Sequence, residues 1–157
     1  MGAPEYYLLL VDDDASLLET MKSILEGKGY CVDTSQTGDD ALKKMKERYY
    51  DVVVLDMVLP DKQGTELLSK MEKKRIPRVR KIVLTGHASL ENAVQSLNLG
   101  ADAYLIKPVH PDDLIKTIAD QIEKQKEEIL LIQDKIRLFI ERDVEDRIRR
   151  IAEEKYL

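Results

Sequence analysis

The chain of 157 residues has a single cysteine, Cys31, so no disulfide can close within it. A lone free cysteine behaves as a small hydrophobe, and the expectation for Cys31 is a buried strand residue. The N-terminal stretch "MGAPEYYLLLVDDD" has no basic region before its apolar run. That run is too short for a signal sequence or a membrane span, so a cytoplasmic protein without membrane contact is expected. A large excess of one charge is also missing: 30 acids against 25 bases give a net charge of −5, with 35% charged residues. This excludes a broad basic face, and direct nucleic-acid binding by this chain is not expected. There is no glycine-rich phosphate loop, no internal repeat and no low-complexity segment. The hydrophobic fraction of 43% is enough for a real core, and the length suits one domain with an appendage.

What is present alternates in type. "YYLLLV" (6–11), "YCVDT" (30–34), "DVVVLD" (51–56), "RKIVLT" (80–85) and "AYLI" (103–106) are strand candidates. Between them lie "ASLLETMKSILEGKG", "GDDALKKMKERY", "GTELLSKMEKKR" and "SLENAVQSLNLG", with apolar residues at helical spacing, and a fifth helix starts near Asp112. In the third strand Val52, Val53, Val54 and Leu55 form an unbroken apolar run, the mark of a strand covered on both faces. Five strands alternating with five helices imply an α/β fold, a parallel sheet with helices on both sides.

In such sheets ligands sit beyond the carboxyl ends of the strands. The residues at those ends are Asp12 and Asp13, Asp56, Thr85 and Lys107. Three carboxylates, a hydroxyl and an ammonium therefore converge on one edge. Asp51 falls at the opposite end of the third strand, and Asp14 is placed to cap the first helix. Carboxylates held together repel one another, so their pKa values should rise unless a cation intervenes. An oxygen-only site of this kind suits Mg²⁺. A metal there would draw a phosphate towards the acids, and Asp56 could attack phosphorus to give an aspartyl phosphate. Such transfer needs charge neutralisation and positioning more than acid–base groups. Lys107 supplies a positive charge and Thr85 a hydroxyl donor. His87 and His110 lie in loops just past the strands, where solvated loop residues are expected.

"LLLVDDD", "DVVVLDMVLPDKQG", "IVLTGHAS" and "GADAYLIKP" together resemble the receiver domain of two-component response regulators, over about residues 5–122. The resemblance implies a flavodoxin-like, doubly wound five-stranded sheet in the order 2-1-3-4-5. It implies that Asp56 receives a phosphoryl group from a histidine kinase, with Thr85 and Lys107 directed to that group. It implies Mg²⁺ held by Asp13, Asp56 and the backbone carbonyl of Val58, with Asp12 acting largely through water. Lys107-Pro108 matches a pair whose peptide bond is usually cis. Tyr104 matches the switch aromatic, expected to turn inward when Thr85 moves to the phosphate. Val58 and His87 flank the path of the hydrolytic water, and an apolar Val58 cannot orient it. Slow self-dephosphorylation is therefore expected, and a half-life of seconds in the purified protein would contradict it.

From Asp112 onward there is neither glycine nor proline. The helical pattern continues past the end of an ordinary receiver, so residues 123–157 are expected to form a coiled-coil extension. Ile115, Ile118, Ile122, Gln125, Ile129, Ile132, Ile136 and Phe139 alternate three and four apart, a heptad pattern. Gln125 stands as a polar residue in that seam, where it could fix register. After Phe139 the pattern slips to Ile140, Val144 and Ile151, which predicts a break or local unwinding. A helix about 70 Å long cannot bury this face on its own domain, so a parallel homodimer is favoured. Acids and bases interleave along it, unlike a DNA-binding basic region.

Three functional classes follow. The first is a phosphorylation-controlled switch whose helix passes the signal to an output domain absent from this chain, in the family commonly a transcriptional one. The second is a stand-alone receiver acting by protein contact. The third is an aspartyl-phosphate hydrolase, which would want a second acid two residues after the nucleophile. Val58 stands there, so a non-enzymatic phosphoacceptor is expected.

Overall fold

The computed structural model describes residues 5–71, 73, 75–87 and 89–156, the side chain of Tyr156 excepted. Five strands, β1 (Tyr7–Val11), β2 (Cys31–Ser35), β3 (Val52–Asp56), β4 (Arg80–Thr85) and β5 (Ala103–Ile106), form one parallel sheet in the order 2-1-3-4-5. The helices are α1 (Ala15–Gly27), α2 (Gly38–Glu47), α3 (Gly64–Lys70), α4 (Leu90–Asn98) and α5 (Pro111–Tyr156). This is the flavodoxin-like arrangement expected. None of the described helices is long and apolar enough to cross a membrane.

The apolar strand runs divide by alternation into two layers. Leu8, Leu10, Val52, Val54, Ile82 and Leu84 face α1 and α5, packing with Leu18, Met21, Leu25, Leu114, Ile118 and Ile122. Leu9, Val11, Val53, Leu55 and Val83 point the other way, against Ala41, Leu67, Leu68 and Met71. A strand buried on both faces needs apolar residues at every position, which is why the valine run of β3 shows no period of two. Cys31 lies on a strand as expected but is only half-buried, because β2 is an edge strand of the sheet.

Helix ends follow local chemistry. Asp14 caps α1, its Oδ1 accepting from the Leu17 N–H at 3.1 Å. Thr37 and Ser89 do the same for α2 and α4. Gly100 takes φ +96° after α4, a left-handed conformation that glycine adopts without cost.

Two expectations change. The third helix is shorter than its sequence pattern: α3 ends at Lys70, and Met71 turns to extended backbone with its side chain in the core. After Met71 comes the run "EKKR", with nothing apolar to extend the inward stripe, and Pro77 disfavours helix at Ile76. Glu72, Lys74 and Ala88, which fall within the expected third helix and the segment after β4, lie outside the described residues. In contrast, α5 does not break after Phe139 but runs unbroken from Pro111 to Tyr156. The apolar residues there change period without stopping, and no glycine or proline interrupts them.

Gln125 also serves a different purpose from the one its heptad position suggests. It is buried against its own domain, and its amide nitrogen donates to Tyr49 Oη at 3.1 Å and to the Arg78 carbonyl at 2.9 Å. One turn on, Glu128 pairs with Arg80, which with Arg78 also reaches Asp102. Gln125 falls where α5 passes the amino ends of β3 and β4. Unpaired carbonyls there need donors.

Candidate functional site

Parallel register brings the carboxyl ends of four strands to one edge. Val11 lies beside Leu55, Asp56 beside Leu84, and Thr85 beside Ile106. Asp12 and Asp13 therefore leave β1 next to Asp56 at the end of β3, and Lys107 leaves β5 next to Thr85. Carboxylate oxygens of Asp12, Asp13 and Asp56 lie within 4.8 Å of one another, with Asp12 and Asp56 buried and Asp13 exposed.

A cation does intervene among these acids. Lys107 Nζ donates to Asp12 Oδ2 at 2.5 Å and to Asp56 Oδ2 at 2.9 Å. Burial alone would push the ammonium's pKa down, but its hydrogen bonds to Asp12 and Asp56 outweigh that and hold it above the usual lysine range. The remaining oxygens are anchored by backbone. Asp12 Oδ1 accepts from the Asp14 N–H at 2.9 Å, and Asp56 Oδ1 from the Val58 N–H at 3.1 Å. The Lys107-Pro108 peptide bond is cis, as the resemblance implied. Among the described residues Asp13 is held by no such bond, and it faces solvent, open to a metal. The donor set is oxygen alone, the carboxylates of Asp12, Asp13 and Asp56. It fits a hard divalent ion that keeps part of its water shell.

Thr85 is buried at the end of β4. Its Oγ1 accepts from the His87 N–H at 3.0 Å, so its hydroxyl oxygen is engaged by its own loop and not by Asp56. Tyr104 on β5 packs partly buried against the layer beneath α4. Its hydroxyl is shut off from solvent and has no hydrogen-bond partner among the described residues. Asp51 lies at the far end of β3, where it accepts from the Tyr7 N–H at 2.8 Å; burial pushes its carboxyl pKa up.

The loop from Met57 to Gln63 follows Asp56 and is tied down by residues that the sequence did not single out. Asp61 accepts from the N–H groups of Gly38 and Asp39 at 2.8 and 2.9 Å, across the amino end of α2. Those backbone bonds, that from Gly38 foremost, hold its carboxyl pKa below the usual range against the opposing pull of desolvation. Lys62 reaches Asp39 at 2.6 Å and lies over Gly38, where a Cβ would meet it at 2.5 Å. These partners stand more than twenty residues apart in the chain, and only the fold joins them. On the other side the Gly64 N–H donates to the Met57 carbonyl at 2.7 Å. A Cβ on Gly64 would stand 2.7 Å from Met57 Cα and 2.8 Å from the Asp56 carbonyl oxygen, both backbone atoms that cannot swing aside. Gly64→Ala is therefore expected to cost about 2–3 kcal/mol, read as a drop in the urea midpoint at unchanged slope.

The profile of the response regulator receiver domain matches residues 8–119. The chain belongs to the response regulator receiver family. It is 34% identical over 116 residues to the alginate biosynthesis transcriptional regulatory protein AlgB of Pseudomonas syringae pv. tomato, a match that covers 74% of this chain and 26% of that protein. The chain thus spans about a quarter of the length of that relative. A CheY-like receiver domain protein from Methanospirillum hungatei superposes with TM-score 0.75 at 44% identity, over 80% of this chain and 99% of the other. A response regulator from Burkholderia pseudomallei, determined with a phosphorylated aspartic acid and a calcium ion, superposes with TM-score 0.68 at 32% identity, over 80% and 74%. Receiver domains are phosphoacceptor switches that bind Mg²⁺ at an acidic pocket, and the acidic cluster of this receiver is Asp12, Asp13 and Asp56.

Proposed function

We propose that Asp56 accepts a phosphoryl group from a histidine kinase and that this receiver thereby switches its surface. The observation that carries the reading is the shared hold of Lys107 on Asp56 and Asp12, with Asp13 left open beside them. An Asp56 oxygen attacks phosphorus, and the bond from phosphorus to the donor's imidazole nitrogen breaks. Asp13, Asp56 and the Val58 carbonyl would hold Mg²⁺, with Asp12 acting through water. The metal, when bound, neutralises charge on the phosphoryl oxygens. Lys107 transfers one of its hydrogen bonds from Asp56 to the phosphoryl group. Thr85 gives up its contact with the His87 N–H and donates its hydroxyl to the same group. Tyr104, on the neighbouring strand and with its hydroxyl unpaired among the described residues, follows that movement and changes the surface around α4, β5 and α5.

The receiver proper takes in residues 5–122, and residues 123–157 are an extension through which two chains associate. Its place is cytoplasmic, with no membrane or nucleic-acid contact of its own. The output is a domain outside this chain, of the transcription-controlling kind; its rival is a stand-alone receiver acting by protein contact. The likeness to a transcriptional regulator over only the receiver segment favours the former. The chain acts as a phosphoacceptor and turns over no substrate of its own.

Intact mass after incubation with Mg²⁺ and acetyl phosphate tests the reading. One added phosphoryl mass that peptide mapping assigns to Asp56, and that EDTA suppresses, is expected. No adduct, or an adduct elsewhere, would overturn it.

A further inference from the structure

Ile118, Ile129, Ile140 and Ile151 recur every eleven residues along α5. Eleven residues make just over three helical turns, so this spacing holds one face of a straight helix. At its start that face belongs to the receiver: Ile118, Ile122 and Gln125 are buried against the sheet. Beyond Glu128 it continues as Ile129, Ile132, Ile136, Ile140, Val144, Ile148 and Ile151. From Ile136 onward these stripe residues are 48–63% exposed, and no described part of the chain covers them.

The stripe reads the same from either end. Its steps are three, four, four, four, four and three, with Ile140 at the midpoint. An antiparallel second helix centred there sets Ile129 against Ile151, Ile132 against Ile148 and Ile136 against Val144. Charges agree with that direction. On a helical projection one flank brings Arg137 beside Glu141 and Glu145 of the second copy, and the other brings Lys135 beside Asp143 and Asp146. Residues 129–156 carry seven acids and seven bases, so two copies meet without net repulsion. A parallel partner in register is blocked by the receiver itself, which occupies the side that the stripe faces. In the antiparallel arrangement the two receivers stand at opposite ends.

We propose that the exposed stripe of α5 is the seam of an antiparallel homodimer, centred on Ile140. This rests on the reading of the extension as the dimer element and replaces the parallel orientation that the heptads suggested.

Light scattering on the full chain, and disulfide cross-linking in a Cys31→Ser background, test it. Ile129→Cys and Ile151→Cys, which lie nearest the centre line of the seam, are made separately, oxidised alone and as a mixture, and run on non-reducing gels. A particle of twice 18.0 kDa is expected, with cross-linked dimer abundant in the mixture and scarce in either variant alone. Ile151→Cys cross-linking by itself as readily as in the mixture would overturn the antiparallel seam and leave the dimer standing. A monomeric mass would overturn both, with another protein or an output domain then covering the stripe. Phosphoryl uptake, read by mass, is independent of either result.

Discussion

Asp56→Asn is expected to abolish phosphoryl uptake while leaving the fold in place. The amide is the same size as the carboxylate, so the space between Val58 and Lys107 stays filled. Its oxygen can accept from either the Val58 N–H or Lys107, which now contact separate oxygens at 3.1 and 2.9 Å. An amide is not a nucleophile towards phosphorus, and no nearby residue can take over. Asp12 is buried with both oxygens already engaged, and Asp13 is exposed with nothing to orient it. One carboxylate fewer also weakens the pull on a divalent ion. Intact mass with acetyl phosphate should show no adduct in the variant, with a circular dichroism spectrum like that of the parent. A variant adduct equal to the parent's would place the acceptor elsewhere.

Lys107→Met is expected to have a second large effect, opposite in sign for folding and for metal. Without the ammonium, buried Asp12 and Asp56 face each other uncompensated. Removing one member of a buried ion pair costs about 3–5 kcal/mol, and the partial exposure of Lys107 reduces this to about 2–3 kcal/mol. In the absence of metal the variant should therefore unfold at markedly lower urea concentration. Mg²⁺ should restore most of the loss, because it replaces the missing positive charge among the same acids, and it should bind the variant more tightly because no ammonium competes with it. Phosphoryl uptake should nonetheless fall, since nothing then neutralises the far side of the phosphoryl group. Calorimetric titration and urea midpoints with and without Mg²⁺ check the pair of effects; equal midpoints for variant and parent in EDTA would sink the argument.

The same lysine sets a pH dependence. Its pKa in the fold is raised above the unfolded value. Its contribution to stability is therefore fully present below an ordinary lysine pKa of about 10.4 and is lost as pH rises through the higher folded value. The parent should lose stability in that alkaline window, and Lys107→Met should lack this component.

Much of this protein was legible before any coordinates. The unbroken "VVVL" could only be a strand buried on both faces. Its place among alternating helices made the sheet parallel, and parallel connectivity decides that Asp12, Asp13, Asp56, Thr85 and Lys107 share an edge. Those conclusions rest on local periodicity and chain order, which a sequence displays directly. What needed the tertiary structure were partners distant in the chain. Asp61 ties the loop after Asp56 to α2 because two segments that are remote in sequence meet at one corner of the sheet. Gln125 reads as a coiled-coil polar position, yet its amide belongs to Tyr49 and Arg78, since the first turns of the extension still lie over the receiver. The third helix stops early because Met71 finds the core there. A sequence alone fixes where apolar residues fall on a helix. Which neighbour covers each of them depends on how far the rest of the fold reaches, and here it reaches Glu128.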